Sequence, residues 1–196
     1  MPSLAMQKDD FKGSSRRVFA AVVPPPPVLS EIFSLSGRIA AALGNTKLRR
    51  VPEKNLHITL RFIREASELD LEDLQKNAKI VADRETPFIL NVGELGVFHN
   101  RGGCAVWVGV SEIQQNETSS KLVEMAGILS GGGLKHFVPH LTIGRTRSKI
   151  RRIPNEIRVP AMEFTVNELV IIKSILKPTG AEYSVISRHP FSKRAT

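Results

Sequence analysis

Apolar and polar positions recur along this chain with the two periods that separate strands from helices. Val18 to Val23 reads as a short buried strand, stopped by Pro24 to Pro27, which cannot join a hydrogen-bonded ladder. Val28, Leu29, Ile32, Phe33, Ile39, Ala40 and Leu43 then fall at helical spacing, and Gly44-Asn45 is a helix stop. An apolar, β-branched run from Asn55 to Ile63 predicts the next strand. Leu71, Leu74, Ala78 and Val81 mark a second amphipathic helix that ends before Thr86-Pro87. Phe88 to Leu95 alternates as a strand, and Gly93, Gly96, Asn100, Gly102 and Gly103 predict a turn-rich connection to a strand at Cys104 to Val110. Leu122, Met125, Ala126 and Leu129 predict a third helix closed by Gly131 to Gly133. Another strand follows over Phe137 to Arg145, then a basic, proline-punctuated connection from Arg147 to Pro160. Phe164 to Ile175 and Tyr183 to Arg188 pair as a terminal hairpin around Lys177-Pro178-Thr179-Gly180. This order predicts an α+β fold with helices packed on sheets.

Two of the predicted strands carry the same short pattern, His57-Ile58-Thr59-Leu60 and His140-Leu141-Thr142-Ile143. Residues two apart share a strand face, so His57 aligns with Thr59 and His140 with Thr142. Leu56, Ile58, Leu60 and Phe62 point the other way, as do Leu141 and Ile143. Each run therefore buries one side and offers an imidazole and a hydroxyl on the other. A helix followed by a His-Thr strand occurs twice, which suggests two halves related by a pseudo-two-fold. Identity between the halves is otherwise weak.

Composition narrows the setting. A chain of 196 residues suits one domain or two small lobes sharing an interface. No apolar run is long enough to cross a bilayer, and Met1 to Arg17 lack the apolar stretch of a signal peptide. The single cysteine, Cys104, precludes an internal disulfide and suits a reducing interior, so the expected location is cytoplasmic. Net charge is +9, and the basic residues cluster around both motifs. Lys47, Arg49, Arg50 and Lys54 precede the first, while Arg145, Arg147, Lys149, Arg151 and Arg152 follow the second. Such clusters are either solvated faces or contacts to a polyanion, whose phosphates they would neutralise.

Two histidines titrating near neutrality can hold opposite protonation states in one pocket, one taking a proton from water and the other giving one to a leaving oxygen. Two hydroxyls can donate to nonbridging phosphate oxygens. That combination is a phosphoester-chemistry site with no need of a metal or cofactor. Competing chemistries find no motif: there is no His-Glu-x-x-His, no paired cysteines, no Gly-x-Ser-x-Gly elbow and no phosphate loop.

The residues that carry these features resemble the two-histidine phosphoesterases, and within them the RNA 2′,3′-cyclic phosphodiesterases once called 2′-5′ RNA ligases. Asn55-Leu56-His57-Ile58-Thr59-Leu60-Arg61-Phe62 is similar to the first family motif, and Pro139-His140-Leu141-Thr142-Ile143-Gly144-Arg145 to the second. Leu95 to Phe98, Val106 to Val110 and Glu168 to Val170 resemble intermediate landmarks in the same order. The resemblance runs from about Arg17 to Phe191, leaving residues 1–16 as a flexible leader and 192–196 as a tail. It implies a bilobal fold, two antiparallel-sheet-plus-helix lobes around a central cleft; separately, a monomer is the expected state. It also implies metal-independent hydrolysis of RNA 2′,3′-cyclic phosphate ends to 2′-phosphates, with His57 and His140 catalytic and Thr59 and Thr142 binding phosphate. Some members join 2′-5′ linkages, and the analogy leans towards His140 as base and His57 as acid. The family's Phe-Leu-Gly-Glu is here Phe62-Ile63-Arg64-Glu65, so Arg64 stands in place of a glycine beside the cleft.

Other residues have two readings. Arg145 falls opposite His140 by strict alternation, yet the resemblance places an arginine here near substrate. Arg61 shares the His57 face by alternation and is either a phosphate contact or a solvated strand end. Phe137 either stacks on a base or makes a hydrophobic contact, whereas Phe62 and Trp107 read as core. RNA with cyclic-phosphate ends, tRNA fragments included, or cyclic nucleotides are the expected partners. The alternatives are another cyclic phosphate or nucleotide metabolite, or a non-catalytic RNA-binding protein on the same fold.

Overall fold

Antiparallel pairing joins every strand to its neighbours in the computed structural model, which describes residues 16–44, 46–113, 120–133 and 136–192. The chain runs β1 (Arg16–Val22), α1 (Pro26–Ala42), β2 (Arg49–Arg50), β3 (Ile58–Ala66), α2 (Glu68–Arg84), β4 (Phe88–Asn100) and β5 (Gly103–Glu112). It continues through α3 (Lys121–Leu129), β6 (His140–Thr146), β7 (Met162–Val166), β8 (Glu168–Lys177) and β9 (Gly180–Pro190). The order across the sheet is β7-β4-β5-β6-β3-β1-β8-β9, with β2 pairing β6. Of the leader and tail, only Arg16 and Ser192 lie within the described residues; Arg16 belongs to β1, and Ser192 N–H donates to the carbonyls of Ala82 and Glu85.

The sheet divides into equal halves, β6-β5-β4-β7 and β3-β1-β8-β9, joined between β3 and β6 by one residue pair, Ile58 with Leu141. These two residues hold the same place in the two motifs, each following its histidine. The pseudo-two-fold therefore passes between them. Helix α1 packs on β2, β6 and β7, while α2 packs on β9, β8, β3 and β1 and α3 on β3 and α2. The helix preceding each motif thus lies against the strand of the other.

Local chemistry explains the helix ends. Pro26 opens α1, where a missing N–H costs nothing, so the helix starts earlier than its apolar period suggests. Ser67 and Asp70 form a capping box on α2. Glu112 reaches from β5 to accept from Lys121 N–H at 2.9 Å and Leu122 N–H at 2.8 Å, satisfying the start of α3.

Two sequence expectations change. The predicted strand from Phe164 to Ile175 is two strands, broken at Asn167, with β7 pairing β4 and β8 pairing β1. One residue therefore links the edge strand β7 to β8, next to the opposite edge strand β9, and the sheet must curl to bring them together; Phe88 of β4 stacks on Phe191 after β9 at the same corner. Gly93 and Gly96, read as turn residues, lie inside the long β4. Gly96 is needed there for space rather than for a turn: a Cβ would sit 2.0 Å from Trp107 Cζ2.

One large apolar core fills the helix side of the sheet, with Ile32, Leu35, Ile58, Leu74, Met125, Leu141 and Ile143 fully buried. Phe19, Ala21, Val170 and Ile172 form a small second cluster on the other side, covered by Tyr183. That second side carries the cleft.

Candidate active site

Each motif strand contains a bulge immediately after its threonine, and both bulges shape the cleft. Along β1 and β3, Ala21 pairs with Thr59 but Ala20 pairs with Arg61, so Leu60 is an extra residue. Phe19 then opposes Phe62, and because Phe19 and Ala21 share a face, so do Thr59 and Phe62. In the other half Trp107 pairs with Thr142 while Val106 pairs with Gly144, making Ile143 the extra residue. Ala105 opposes Arg145, so Arg145 joins Thr142 and His140 on the cleft face. Strict alternation had assigned both Phe62 and Arg145 to the core side. The bulges reverse that, and they place Phe62 and Arg145 at equivalent positions of the two halves.

His57, Thr59, His140, Thr142 and Arg145 line one cavity of about 860 Å³, together with Phe62, Tyr183 and the β8–β9 hairpin tip. Arg61 does not line it. The bulge turns Arg61 to the helix side with its partner Ala20, where its charge acts on Asp70 at the start of α2. Phe137 also lies outside the cavity and packs against the main core. Its position before His140 carries it past the end of β6, where it closes the apolar layer. Trp107, read as core, stands on the cleft side instead and meets His140 edge-on at 5.9 Å between ring centroids.

Both imidazoles are held in the same way. His57 Nδ1 lies 2.7 Å from the Asn55 carbonyl, and His140 Nδ1 lies 2.7 Å from the Val138 carbonyl. A carbonyl only accepts, so each Nδ1 carries the proton and each Nε2 is left as the unprotonated nitrogen of the neutral ring. Aromatic rings fix the planes: His57 stacks on Phe19 at 4.5 Å and meets Tyr183 edge-on, and His140 meets Phe98 edge-on at 4.9 Å. The buried Asn55 side chain also donates to Ala181 O at 2.8 Å, tying the β8–β9 hairpin to the residue that orients His57.

Burial makes a charged imidazole costly here. Desolvation pulls the His57 pKa down to about 4, against the opposing effect of the Asn55 carbonyl, with His140 and Arg145 lowering it further. His140 is lowered for the same reason, burial first, with the Val138 carbonyl opposing and Arg145 adding to the drop. Burial raises the Tyr183 phenol, and Arg145 counters it. The Arg145 charge thus acts on both imidazoles and on the phenol across the cavity that all four residues line. Glu182, the one acid among the lining residues, pairs with Lys177 at 2.6 Å.

Among the residues lining the cleft, Phe19, Asn55 and Tyr183 are not singled out as site residues by the sequence, which reads Phe62 as core. Phe62 could have been found from the matched spacing, since it and Arg145 each follow a threonine by three. For Tyr183 there was no signal, because only the fold brings β9 over His57.

The LigT-like phosphoesterase family model matches residues 22–106. A protein from Aquifex aeolicus named RNA 2′,3′-cyclic phosphodiesterase is 31% identical over 147 residues, which cover 69% of this chain and 78% of that one. One of the same name from Thermus thermophilus is 27% identical over 180 residues, 88% of each chain. A crystal structure of a Thermus thermophilus protein superimposes with a TM-score of 0.75 at 24% identity, over 91% of this chain and 100% of that one. The structure of E. coli LigT complexed with 3′-AMP gives 0.70 at 24% identity, over 92% and 100%. These likenesses extend the shared fold across nearly the whole chain. With the Aquifex identity spread over most of that relative, the chain belongs to the LigT-like, two-histidine phosphoesterases.

Proposed function

We propose that the protein is a metal-independent RNA 2′,3′-cyclic phosphodiesterase with His57 and His140 as its acid–base pair. The observation that carries this reading is the matched presentation of two imidazoles, each donating Nδ1–H to the carbonyl two residues earlier, at one cavity. The names of the relatives, RNA 2′,3′-cyclic phosphodiesterase, point the same way.

The cyclic phosphate binds as a monoanion between the threonine hydroxyls and Arg145. One neutral imidazole takes a proton from water through Nε2, and the water oxygen attacks phosphorus. The P–O3′ bond breaks, and the other imidazole, protonated, delivers its Nε2 proton to O3′. The product is a 2′-phosphate. Thr59 and Thr142 donate to the nonbridging oxygens as their charge grows, and Arg145 balances the anion. Burial keeps the free imidazoles neutral; the incoming anion raises the pKa of both and draws in the proton that the acid needs. If an RNA 5′-hydroxyl replaces water, the same steps form a 2′-5′ linkage.

The test is turnover of a 2′,3′-cyclic nucleotide, with product position read by phosphorus NMR. A 2′-phosphate product that forms equally well with EDTA present is expected. Loss of activity on chelation, or a 3′-phosphate product, would overturn the mechanism. Binding of RNA without turnover of any cyclic phosphate would favour a non-catalytic RNA-binding role.

A further inference from the structure

The two basic runs of the sequence meet at one edge of the cleft. Strand β2 pairs with β6 so that Arg49 opposes Arg145 and Arg50 opposes Gly144, and Val51 N–H continues the contact to Ile143 O at 2.9 Å. Lys47, Arg49 and Lys54 thereby come alongside the strand that carries His140 and Thr142. Beyond Arg145 the chain continues directly into Arg147, Lys149, Arg151 and Arg152, all exposed.

Arg50 is committed elsewhere. Its guanidinium donates to Ser36 Oγ at 2.8 Å and to Phe33 O at 2.6 Å while lying over the Phe33 ring, which clamps β2 to α1. The remaining basic residues have no carboxylate partner among the described residues. Arg49 and Arg145 face each other across adjacent strands, a like-charge arrangement that destabilises a sheet unless an anion lies between. The segment after β6 is also anchored. Ile150 is buried in the main core, and its N–H meets Cys104 Sγ at 3.4 Å; Ser148 N–H donates to Thr146 Oγ1 at 3.0 Å. Lys149 and Arg151 are therefore held outward on either side of a fixed point.

We infer that the RNA body 5′ of the cyclic phosphate leaves the cleft across this edge. Its backbone phosphates run from Arg49 and Arg145 out over Arg147, Lys149, Arg151 and Arg152. The preferred substrate is then a single-stranded RNA end several nucleotides long rather than a cyclic mononucleotide. This inference rests on the reading of the cleft as a cyclic-phosphate site.

The experiment compares a 2′,3′-cyclic mononucleotide with single-stranded oligonucleotides of two to eight nucleotides ending in the same group. Wild type is set beside the variant R147Q/K149Q/R151Q/R152Q, whose substitutions touch no catalytic group. For single strands each phosphate contact steepens the salt dependence by about 0.7, so two to four contacts lower oligonucleotide kcat/KM ~7- to ~50-fold between 50 and 200 mM salt. The variant should lose that advantage and that slope while handling the mononucleotide as wild type does. Equal efficiency on both substrates in wild type, or an equal drop on both in the variant, overturns the inference. Fluorescence anisotropy of a labelled oligonucleotide with a 3′-phosphate end gives a readout independent of turnover. Weaker binding by the variant supports the path even if no cyclic phosphate is hydrolysed, a result that would sink only the catalytic reading. Binding unchanged in the variant, or no RNA binding at all, rejects the path and leaves an acidic protein as the occupant of this edge.

Discussion

Acid should destabilise this protein through His57, by an amount its burial sets. In the folded protein His57 stays neutral down to about pH 4, whereas in the unfolded chain it takes a proton near its ordinary value of 6.5. Between those values the unfolded state binds more protons, so stability falls as pH falls. The contribution is intact above pH 6.5, erodes from there to pH 4, and is gone below. A drop from 6.5 to about 4 corresponds to about 3 kcal/mol at most. His57→Gln has no proton to gain in this range. The assay is urea unfolding of wild type and H57Q at closely spaced pH values from 4 to 7.5. The unfolding free energy of wild type, minus that of the variant, should shrink by about 3 kcal/mol as pH drops through the window. His140 and His189, whose pKa values are also lowered by burial, titrate in both proteins and largely cancel in the difference. Parallel curves for the two proteins from pH 6.5 to 4 would refute the claim that burial holds His57 neutral.

Alanine at His57 or at His140 should cut kcat on a cyclic nucleotide by roughly 10²–10⁴, as measured by steady-state kinetics, because each removes one proton-transfer group. The bell-shaped pH profile of kcat should lie at higher pH than that of kcat/KM, since bound phosphate raises both imidazoles above their lowered free values; coincident profiles would contradict it. Gly96→Ala places a methyl 2.0 Å from Trp107 Cζ2 and should cost about 1–3 kcal/mol in thermal melts. It should also lower kcat by pushing the indole towards His140, whereas Gly102→Ala, with nothing within 4 Å, should do neither. Phe62→Ala should raise KM while Arg61→Ala leaves it unchanged, the opposite of what strict alternation implies; kinetics on the same substrate decide between them.

Much of this architecture could be read from the amino-acid order, because local periodicity reports which face of an element is buried. The helices over Pro26–Ala42, Glu68–Arg84 and Lys121–Leu129 contain the apolar stripes that predict them, though α1 starts before its stripe, and the His-Thr pairs share a face as the two-residue strand period requires. Matched motifs also announced a twofold arrangement and a phosphate chemistry, since few sites ask for paired imidazoles and hydroxyls.

What lay beyond the sequence were the events that break a period or join distant segments. Leu60 and Ile143 look like ordinary strand residues, yet as bulges they exchange the faces of the residues that follow, bringing Phe62 and Arg145 to the cleft and sending Arg61 away. The break at Asn167 sends one apolar run to opposite halves of the sheet, β7 onto β4 and β8 between β1 and β9, a choice set by strand pairing. Tyr183 above His57, and Arg49 opposite Arg145, depend on strand order and register. Sequence alone thus determined which side chains the two motif strands offer together on one face, because side-chain direction along a strand is local. Tertiary structure decided which further residues surround that chemistry, because pairing across the sheet is settled only when the whole core closes.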